Sequence, residues 1–141
     1  MHAPNRIVPS LVLALALAVP GCLTKQQPAT VVAPAAGPEV LAKARRALAE
    51  QGLTAASQDD EAGVLYSDWV VHSSSDESSF VYRLVVFVDD NGESSAVTVR
   101  AESQHCPPHT TVFDRCTSAA GKILPKSVQE KIDAVGATLA G

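Results

Sequence analysis

The residues best suited to chemistry lie in one short stretch of the carboxyl-terminal third of the chain. The stretch begins at Cys106 and ends at Cys116. His105 directly precedes it, and His109 lies inside it. Thiolate and imidazole groups are ligands of zinc and copper, so these four residues could bind a metal ion. The two cysteines could instead form a disulfide bond. The spacing favours the disulfide, because the adjacent His105 and Cys106 cannot easily point at one ion and no CxxC pair is present.

The third cysteine, Cys22, follows a segment typical of bacterial secretion signals. Arg6 lies near its start, an unbroken apolar run extends from Leu11 to Val19, and the small residue Gly21 precedes the cysteine. As a helix the apolar run would rise about 14 Å, against a hydrocarbon core of about 30 Å, so it is too short to span a membrane. These features predict a signal peptide over residues 1–21.

The four residues Val19-Pro20-Gly21-Cys22 resemble a lipobox, where a bacterial lipoprotein is cleaved and lipidated on its new amino-terminal cysteine. A plain secretory peptide is the alternative, because proline is unusual inside a lipobox. Residues 22–37 are rich in Pro, Ala, Thr and Gln, a composition that predicts a disordered tether between an anchor and a domain. We therefore expect Cys22 to carry palmitate and to anchor the protein on the periplasmic face of the outer membrane.

Lipidation of Cys22 would leave Cys106 and Cys116 as the remaining thiols. An exported protein reaches an oxidising compartment, where such a pair forms a disulfide by default. Closing so short a loop would constrain the unfolded chain by roughly 2–3 kcal/mol. The sequence therefore predicts a disulfide between Cys106 and Cys116, no metal site and no cofactor.

The charge balance argues against a nucleic-acid partner. The formal net charge is −4, and loss of Arg6 with the signal peptide would make the chain more acidic. Lys43, Arg45 and Arg46 form the one basic cluster, at a spacing typical of the solvated face of a helix. A phosphate backbone requires clustered Lys and Arg residues, so we expect no binding of nucleic acid.

Catalytic motifs are missing from the sequence. It contains no GxSxG elbow, HExxH motif, phosphate-binding glycine loop or CxxC redox pair. The acidic run from Asp59 to Glu61 lacks the alternating spacing and the glycine of a calcium loop. We therefore expect no enzymatic activity.

Two helices are predicted at the ends of the folded part. Pro38 suits the first position of a helix, and Leu41, Ala44 and Leu48 recur on one face of it. Gly52 would end this helix in the left-handed conformation. Two signals indicate the second helix. Ser127 and Glu130 fit a capping box at its start. Its apolar stripe consists of Val128, Ile132, Val135 and Leu139.

Four strands are predicted between the helices, over residues 53–58, 64–72, 80–88 and 95–102. Asn91-Gly92 separates the last two strands and is typical of a tight type I′ hairpin. The order α-β-β-β-β-α predicts a single α+β domain over residues 38–141. In this domain a four-stranded antiparallel meander is flanked by an amino-terminal and a carboxyl-terminal helix, both on one face of the sheet.

One segment resembles a known family. The predicted helix, short strand and acidic turn, followed by Gly63-Val64-Leu65-Tyr66 and a strand bearing Trp69, are similar to the repeating domain of the BamC-type lipoproteins. The resemblance covers about residues 38–102 and rests on pattern rather than on a specific motif. It implies a small helix-grip module of a Gram-negative envelope. The segment from Cys106 to Cys116 has no counterpart in that family. No functional residue of the family is assigned to a position of this chain.

Four residues of the predicted sheet are candidates for an interaction surface: Tyr66, Trp69, Arg83 and Arg100. Trp69 is the only tryptophan, and the strand period places it on the same side as Leu65, so core packing is its expected role. If Trp69 instead lies exposed beside Tyr66 or Arg100, the sheet face becomes a recognition surface.

Together these features predict a membrane-anchored periplasmic lipoprotein with a non-catalytic structural or protein-interaction role in the cell envelope. Its partners would be the membrane, through lipidated Cys22, and another envelope protein. The alternative is an envelope lipoprotein that binds a small ligand or a metal ion. That ligand would bind on the open sheet face or at the loop from His105 to His109.

The substitution Cys22→Ser tests the anchor. Bacterial cells supplied with labelled palmitate should incorporate the label into the wild-type chain and not into Cys22→Ser, because the thiol is the group that accepts the lipid. Cys106→Ser, which removes a different thiol, should keep the label. The readout is the radioactivity of the immunoprecipitated chain, and an unlabelled wild type would contradict the predicted anchor.

Overall fold

The computed structural model describes residues 23–109, 113, 116–119 and 123–141. Cys22 and the predicted signal peptide lie outside the described residues. Within these ranges the chain forms two helices and nine strands. They are, in chain order, β1 (Leu23–Lys25), β2 (Ala29–Ala33), α1 (Gly37–Glu50), β3 (Ala55–Asp59), β4 (Val64–Ser67), β5 (Val70–Ser74), β6 (Ser79–Asp90), β7 (Ser95–Cys106), β8 (Thr117–Ser118), β9 (Ile123–Pro125) and α2 (Lys126–Ala140).

A long antiparallel hairpin forms the centre of the sheet. β6 and β7 pair along their whole length, from Ser79 with Cys106 to Asp90 with Ser95. β2 pairs with the free edge of β7, while β4 and β5 follow one another along the other edge of β6. β3 extends the sheet beyond β4, and β8 pairs with the end of β7. β1 and β9 form a separate two-stranded ribbon.

The fold is α+β, as the sequence predicts, but the predicted four-stranded meander is wrong. The main sheet of the described residues holds seven strands, all paired antiparallel. Two differences account for most of the change. One predicted strand is broken in two, and the predicted tether contributes strands of its own.

The strand predicted over residues 64–72 is interrupted after Ser67 and becomes β4 and β5. The hydroxyl of Ser67 accepts a hydrogen bond from the backbone amide of Leu84 at 2.9 Å and donates one to the carbonyl of Asp68 at 3.0 Å. The amide of Asp68 donates to the carbonyl of Thr54 at 2.8 Å. A side chain thus takes the place of a backbone acceptor in the ladder, so the chain leaves the regular strand at this point.

The predicted tether is ordered where the structure describes it. Residues 23–33, which fall within the disordered tether predicted over residues 22–37, form β1 and β2. β2 alternates between exposed and covered side chains, and Ala29 and Val31 pack against the buried core. This period of two is the pattern of a half-buried edge strand.

Two glutamines hold this segment against the rest of the domain. The side-chain oxygen of Gln26 accepts a hydrogen bond from the amide of Ala101 at 2.8 Å. The amide of Gln27 donates to the side-chain oxygen of Gln129 at 2.9 Å, and the side chain of Gln129 donates back to the carbonyl of Gln27 at 2.8 Å. Composition predicted a solvated tether, whereas these polar side chains bind the folded domain.

Both helices pack against the same face of the sheet. Alternate side chains of β6 and β7 point to this face and form one buried cluster with the apolar faces of α1 and α2. The stripe predicted on the second helix is confirmed, because its four residues are fully buried: Val128, Ile132, Val135 and Leu139. Burial of each such side chain stabilises the fold by roughly 1.5–3 kcal/mol.

The ends of α1 follow the sequence signals. Pro38 lies in the first turn, where its missing amide donor removes no helical hydrogen bond. At the other end, the amides of Gly52 and Leu53 donate to the carbonyls of Ala49 and Leu48, both at 2.9 Å, and Gly52 has φ 78°. This pattern is a Schellman motif, which satisfies the last carbonyls of the helix.

Two local predictions are wrong. α2 has no side-chain cap hydrogen bond, so the predicted capping box of Ser127 and Glu130 does not form. The turn between β6 and β7 spans residues 91–94, in which Gly92 alone has a positive φ, of 98°. A type I′ turn needs two central residues with positive φ, so this is a longer loop. The carboxylate of Asp90 stabilises it by accepting the amide of Gly92 at 2.9 Å.

Cys106 and Cys116 form a disulfide bond, which confirms the predicted pairing. Cys106 is the last residue of β7, and Cys116 directly precedes β8. The bond therefore joins the end of the central hairpin to the segment that leads to α2. Of the two helices in the described part of the chain, neither is long and apolar enough to cross a membrane.

Two glycines with the same backbone conformation give a matched test of the packing. Gly63 and Gly52 have φ 69° and 78°, but a Cβ on Gly63 would overlap the carbonyl oxygen of Val88, whereas a Cβ on Gly52 meets open space. Gly52→Ala should lower the free energy of unfolding by about 1–2 kcal/mol, the cost of the left-handed conformation. Gly63→Ala should cost more, because Val88 must also move. Urea unfolding measures both, and equal losses would contradict the close contact.

Candidate interaction face

The sheet has a face that points away from both described helices. Arg83, Val85 and Phe87 of β6 alternate with core residues and point to this side, as do their partners in β7 and β4. Val85 is fully buried although it faces away from the helices. Larger side chains on the same side must therefore cover it, and these side chains form the candidate site.

Arg83 lies at the centre of this group. The carbon of its guanidinium lies 4.4 Å from the centroid of the Tyr66 ring and 4.6 Å from that of the Trp69 ring. Two of its nitrogens lie 2.8 Å and 2.7 Å from one carboxylate oxygen of Glu102. A cation held against ring faces is stabilised by the ring quadrupole, and the ion pair fixes its orientation.

The strand break explains why both rings reach Arg83. Tyr66 is in β4, and Trp69 follows the break after Ser67. In a continuous strand, residues 66 and 69 would point to opposite faces of the sheet, because the side-chain period is two. The irregular backbone between β4 and β5 turns Trp69 to the side of Tyr66. Trp69 is consequently half-buried and lies outside the core cluster.

Arg100 extends the group along β7. Its guanidinium lies 5.0 Å from the centroid of the Phe87 ring, and one nitrogen lies 3.3 Å from the second oxygen of Glu102. Two guanidinium groups thus share one carboxylate, so the group carries an excess positive charge on a chain of net charge −4. Arg100 retains 38% of its side-chain exposure and can contact a partner. We name this group the aromatic–arginine face: Tyr66, Trp69, Arg83, Phe87, Arg100 and Glu102.

A polar groove of about 450 Å³ adjoins this face. Trp69, Arg83, Arg100 and Gln104 are among the residues that line it. The side-chain oxygen of Gln104 is buried and has no hydrogen-bond partner among the residues that the structure describes. A buried acceptor without a donor is uncommon in folded proteins, so this oxygen is suited to bind a donor from outside the chain.

A larger cavity, of about 760 Å³, opens on the helix side at the end of β7 that carries the disulfide. We name it the basal cavity, and its lining includes Leu23, His72, Phe80, His105 and Ile123. The Phe80 ring lies between the two imidazoles, edge to face, with centroids 6.2 Å from His72 and 5.5 Å from His105.

One tyrosine, Tyr82, lies close to the cavity residue His72. The Tyr82 ring is 6.4 Å from that of His72, and its side chain belongs to the buried core. Burial raises the pKa of the Tyr82 hydroxyl above its ordinary value of 10.0.

The structure brings the four candidate surface residues together: Tyr66, Trp69, Arg83 and Arg100 all lie on the aromatic–arginine face. The core role expected for Trp69 is wrong. Sequence reasoning missed Glu102 and Phe87, although Glu102 lies directly opposite Arg83 in the register of β6 and β7. Phe87 and Glu102 alternate with buried residues along β6 and β7. With the register of the two strands, this alternation places both side chains on the same face as Arg83.

The metal alternative at the cysteine segment has no support from the described residues. The disulfide occupies the thiols of both Cys106 and Cys116. His105 instead contacts the Phe80 ring. Within residues 23–109, 113, 116–119 and 123–141, no three His, Cys, Asp or Glu side chains are grouped so that they could hold a metal ion.

No protein-family model matches the chain, and no curated protein is significantly similar to it. The resemblance of residues 38–102 to the BamC-type domain therefore remains a prediction from the sequence pattern.

Trp69 fluorescence provides a test of the aromatic–arginine face, since the chain has one tryptophan. Arg83→Ala should shift the Trp69 emission to the red and increase its quenching by acrylamide, because the guanidinium covers the ring. Arg100→Ala is the matched control, because Arg100 lies over Phe87 instead. An equal red shift in both variants, or none in Arg83→Ala, would contradict this arrangement.

Proposed function

We propose that this protein is a lipid-anchored, non-catalytic lipoprotein of the bacterial cell envelope, held on the periplasmic face of the outer membrane, that binds another envelope protein. The partner would contact the aromatic–arginine face. The anchor at Cys22 rests on the signal-like residues 1–21 and on the lipobox resemblance. The disulfide between Cys106 and Cys116 supports export, because such bonds persist in oxidising compartments.

The observation that carries the proposal is the composition and exposure of the aromatic–arginine face. Tryptophan, tyrosine and arginine are the residues that most often dominate the energy of protein interfaces. Here Tyr66, Trp69, Arg83 and Arg100 lie together on the side of the sheet that the described helices leave open. Arg83 is already oriented by Glu102, so a partner would not have to order that long side chain.

The excess positive charge indicates the chemistry of the partner. Arg100 shares Glu102 with Arg83 and keeps more than a third of its exposure. A partner that places a carboxylate at Arg100 and an apolar side chain against Trp69 would complement both features. Attachment of both proteins to one membrane would raise their effective concentration, so a small interface would suffice.

A second candidate function is the binding of a small polar ligand in the groove beside this face. Its volume of about 450 Å³ lies within the range of about 300–1,000 Å³ typical of ligand sites. The unpartnered oxygen of Gln104 favours a ligand that donates a hydrogen bond. Trp69 and Arg83 would lie along its wall.

Cross-linking in intact cells tests the protein-binding proposal. The wild-type chain should give one reproducible adduct with an envelope protein, and Trp69→Ala or Arg100→Ala should weaken that complex roughly thirtyfold, as truncation of a dominant interface residue does. Arg46→Ala is the matched control, because Arg46 is an exposed arginine on α1 and should leave the adduct unchanged.

Two results would reject this proposal. One is an adduct that survives both Trp69→Ala and Arg100→Ala. The other is a combination of two findings: the wild-type chain gives no adduct, and a small molecule that is extracted with the native protein no longer binds to Gln104→Ala. That second result would establish the ligand-binding candidate instead.

A further inference from the structure

We infer that the end of the domain around the basal cavity lies directly on the lipid bilayer, with Leu23 and Ile123 in its apolar boundary. The inference rests on the proposed anchor at Cys22. It goes further by stating which surface meets the membrane and what covers the cavity.

The first observation is the distance between the anchor and the fold. Leu23 directly follows Cys22 in the sequence and is already the first residue of β1. β1 is held by pairing with β9, in which Leu23 lies opposite Pro125. One residue spans at most about 3.6 Å, so a lipid on Cys22 would hold this end of the domain at the membrane surface. No solvated tether separates the two.

The second observation is the exposed apolar surface at this end. Leu23 is 63% exposed and Ile123 is 54% exposed, and both line the basal cavity. Large apolar side chains with this exposure at the base of a lipid anchor add buried area to membrane attachment. Phe80 adds an apolar ring to the lining of the same cavity, which in this orientation would face the acyl chains of the bilayer.

The third observation is the polar surround of the cavity. Its remaining lining includes serines of residues 73–78, which match the hydrogen-bonding headgroup region. Lys25 in β1 and Lys126, which directly follows β9, are exposed, so they would attract anionic headgroups. Asp76 and Glu77 are exposed in the same loop, between Ser75 and Ser78, so this loop would lie at the level of the headgroups and not in the apolar region.

Val32 provides a matched reference position far from this end. It is 65% exposed, close to the 63% of Leu23, but it pairs with Ala96 at the opposite end of β7 from His105. At about 3.3 Å per residue, the two ends of that strand segment are roughly 30 Å apart. An orientation with the basal cavity on the bilayer therefore keeps Val32 in water.

Tryptophan quenching by brominated lipids tests this orientation. The full chain is expressed in bacteria, purified from membranes and reconstituted in phosphatidylcholine vesicles with or without bromine on the acyl chains. The two variants are Ile123→Trp and Val32→Trp, each in a Trp69→Phe background. Bromine should quench the tryptophan at position 123 about twofold or more and leave the one at position 32 nearly unchanged, because interfacial apolar side chains enter the headgroup and acyl boundary to a depth of about 5–10 Å.

The other outcomes distinguish a wrong orientation from a missing anchor. Equal quenching at both positions, or none at position 123, in a palmitate-labelled chain would overturn the orientation and leave the anchor intact. A chain without palmitate would overturn the anchor, and the orientation with it. Retention of the disulfide and of the circular dichroism spectrum shows that each variant is folded.

Discussion

The pairing of β6 with β7 is the constraint on which the rest of the structure depends. Its register sets Leu84 opposite Ala101 on the core side and Arg83 opposite Glu102 on the other side. A shift by one residue would exchange the two sides and place the charged pair beneath the helices. The same register therefore builds the core and orients the aromatic–arginine face.

Much of this arrangement could be predicted from the sequence, for identifiable reasons. The apolar stripe of α2 and the glycine cap of α1 are local patterns, and both are present. The position of Trp69 is not a local pattern, because it depends on the hydroxyl of Ser67 taking a ladder hydrogen bond from Leu84. The period of two therefore predicted the wrong side for the most informative side chain of the surface.

The amino-terminal segment was mispredicted for a similar reason. Composition treats Gln26 and Gln27 as solvating residues, whereas in the fold both bind partners far along the chain, in β7 and α2. Only tertiary structure supplies those partners. The consequence is mechanical: a domain expected to move on a tether instead has its first strand directly after Cys22, the residue proposed as its anchor. The long hairpin would then stand away from the bilayer, with the aromatic–arginine face open to neighbours at its side.

Covalent footprinting of Trp69 tests whether the aromatic–arginine face is an occupied binding surface in the envelope. Hydroxyl-radical oxidation of Trp69 would be compared between living cells and the purified protein reconstituted in vesicles without other proteins. Trp69 should be strongly protected in cells and oxidised in vesicles, because only the native envelope supplies the partner. Equal oxidation of Trp69 in both samples would contradict that occupancy.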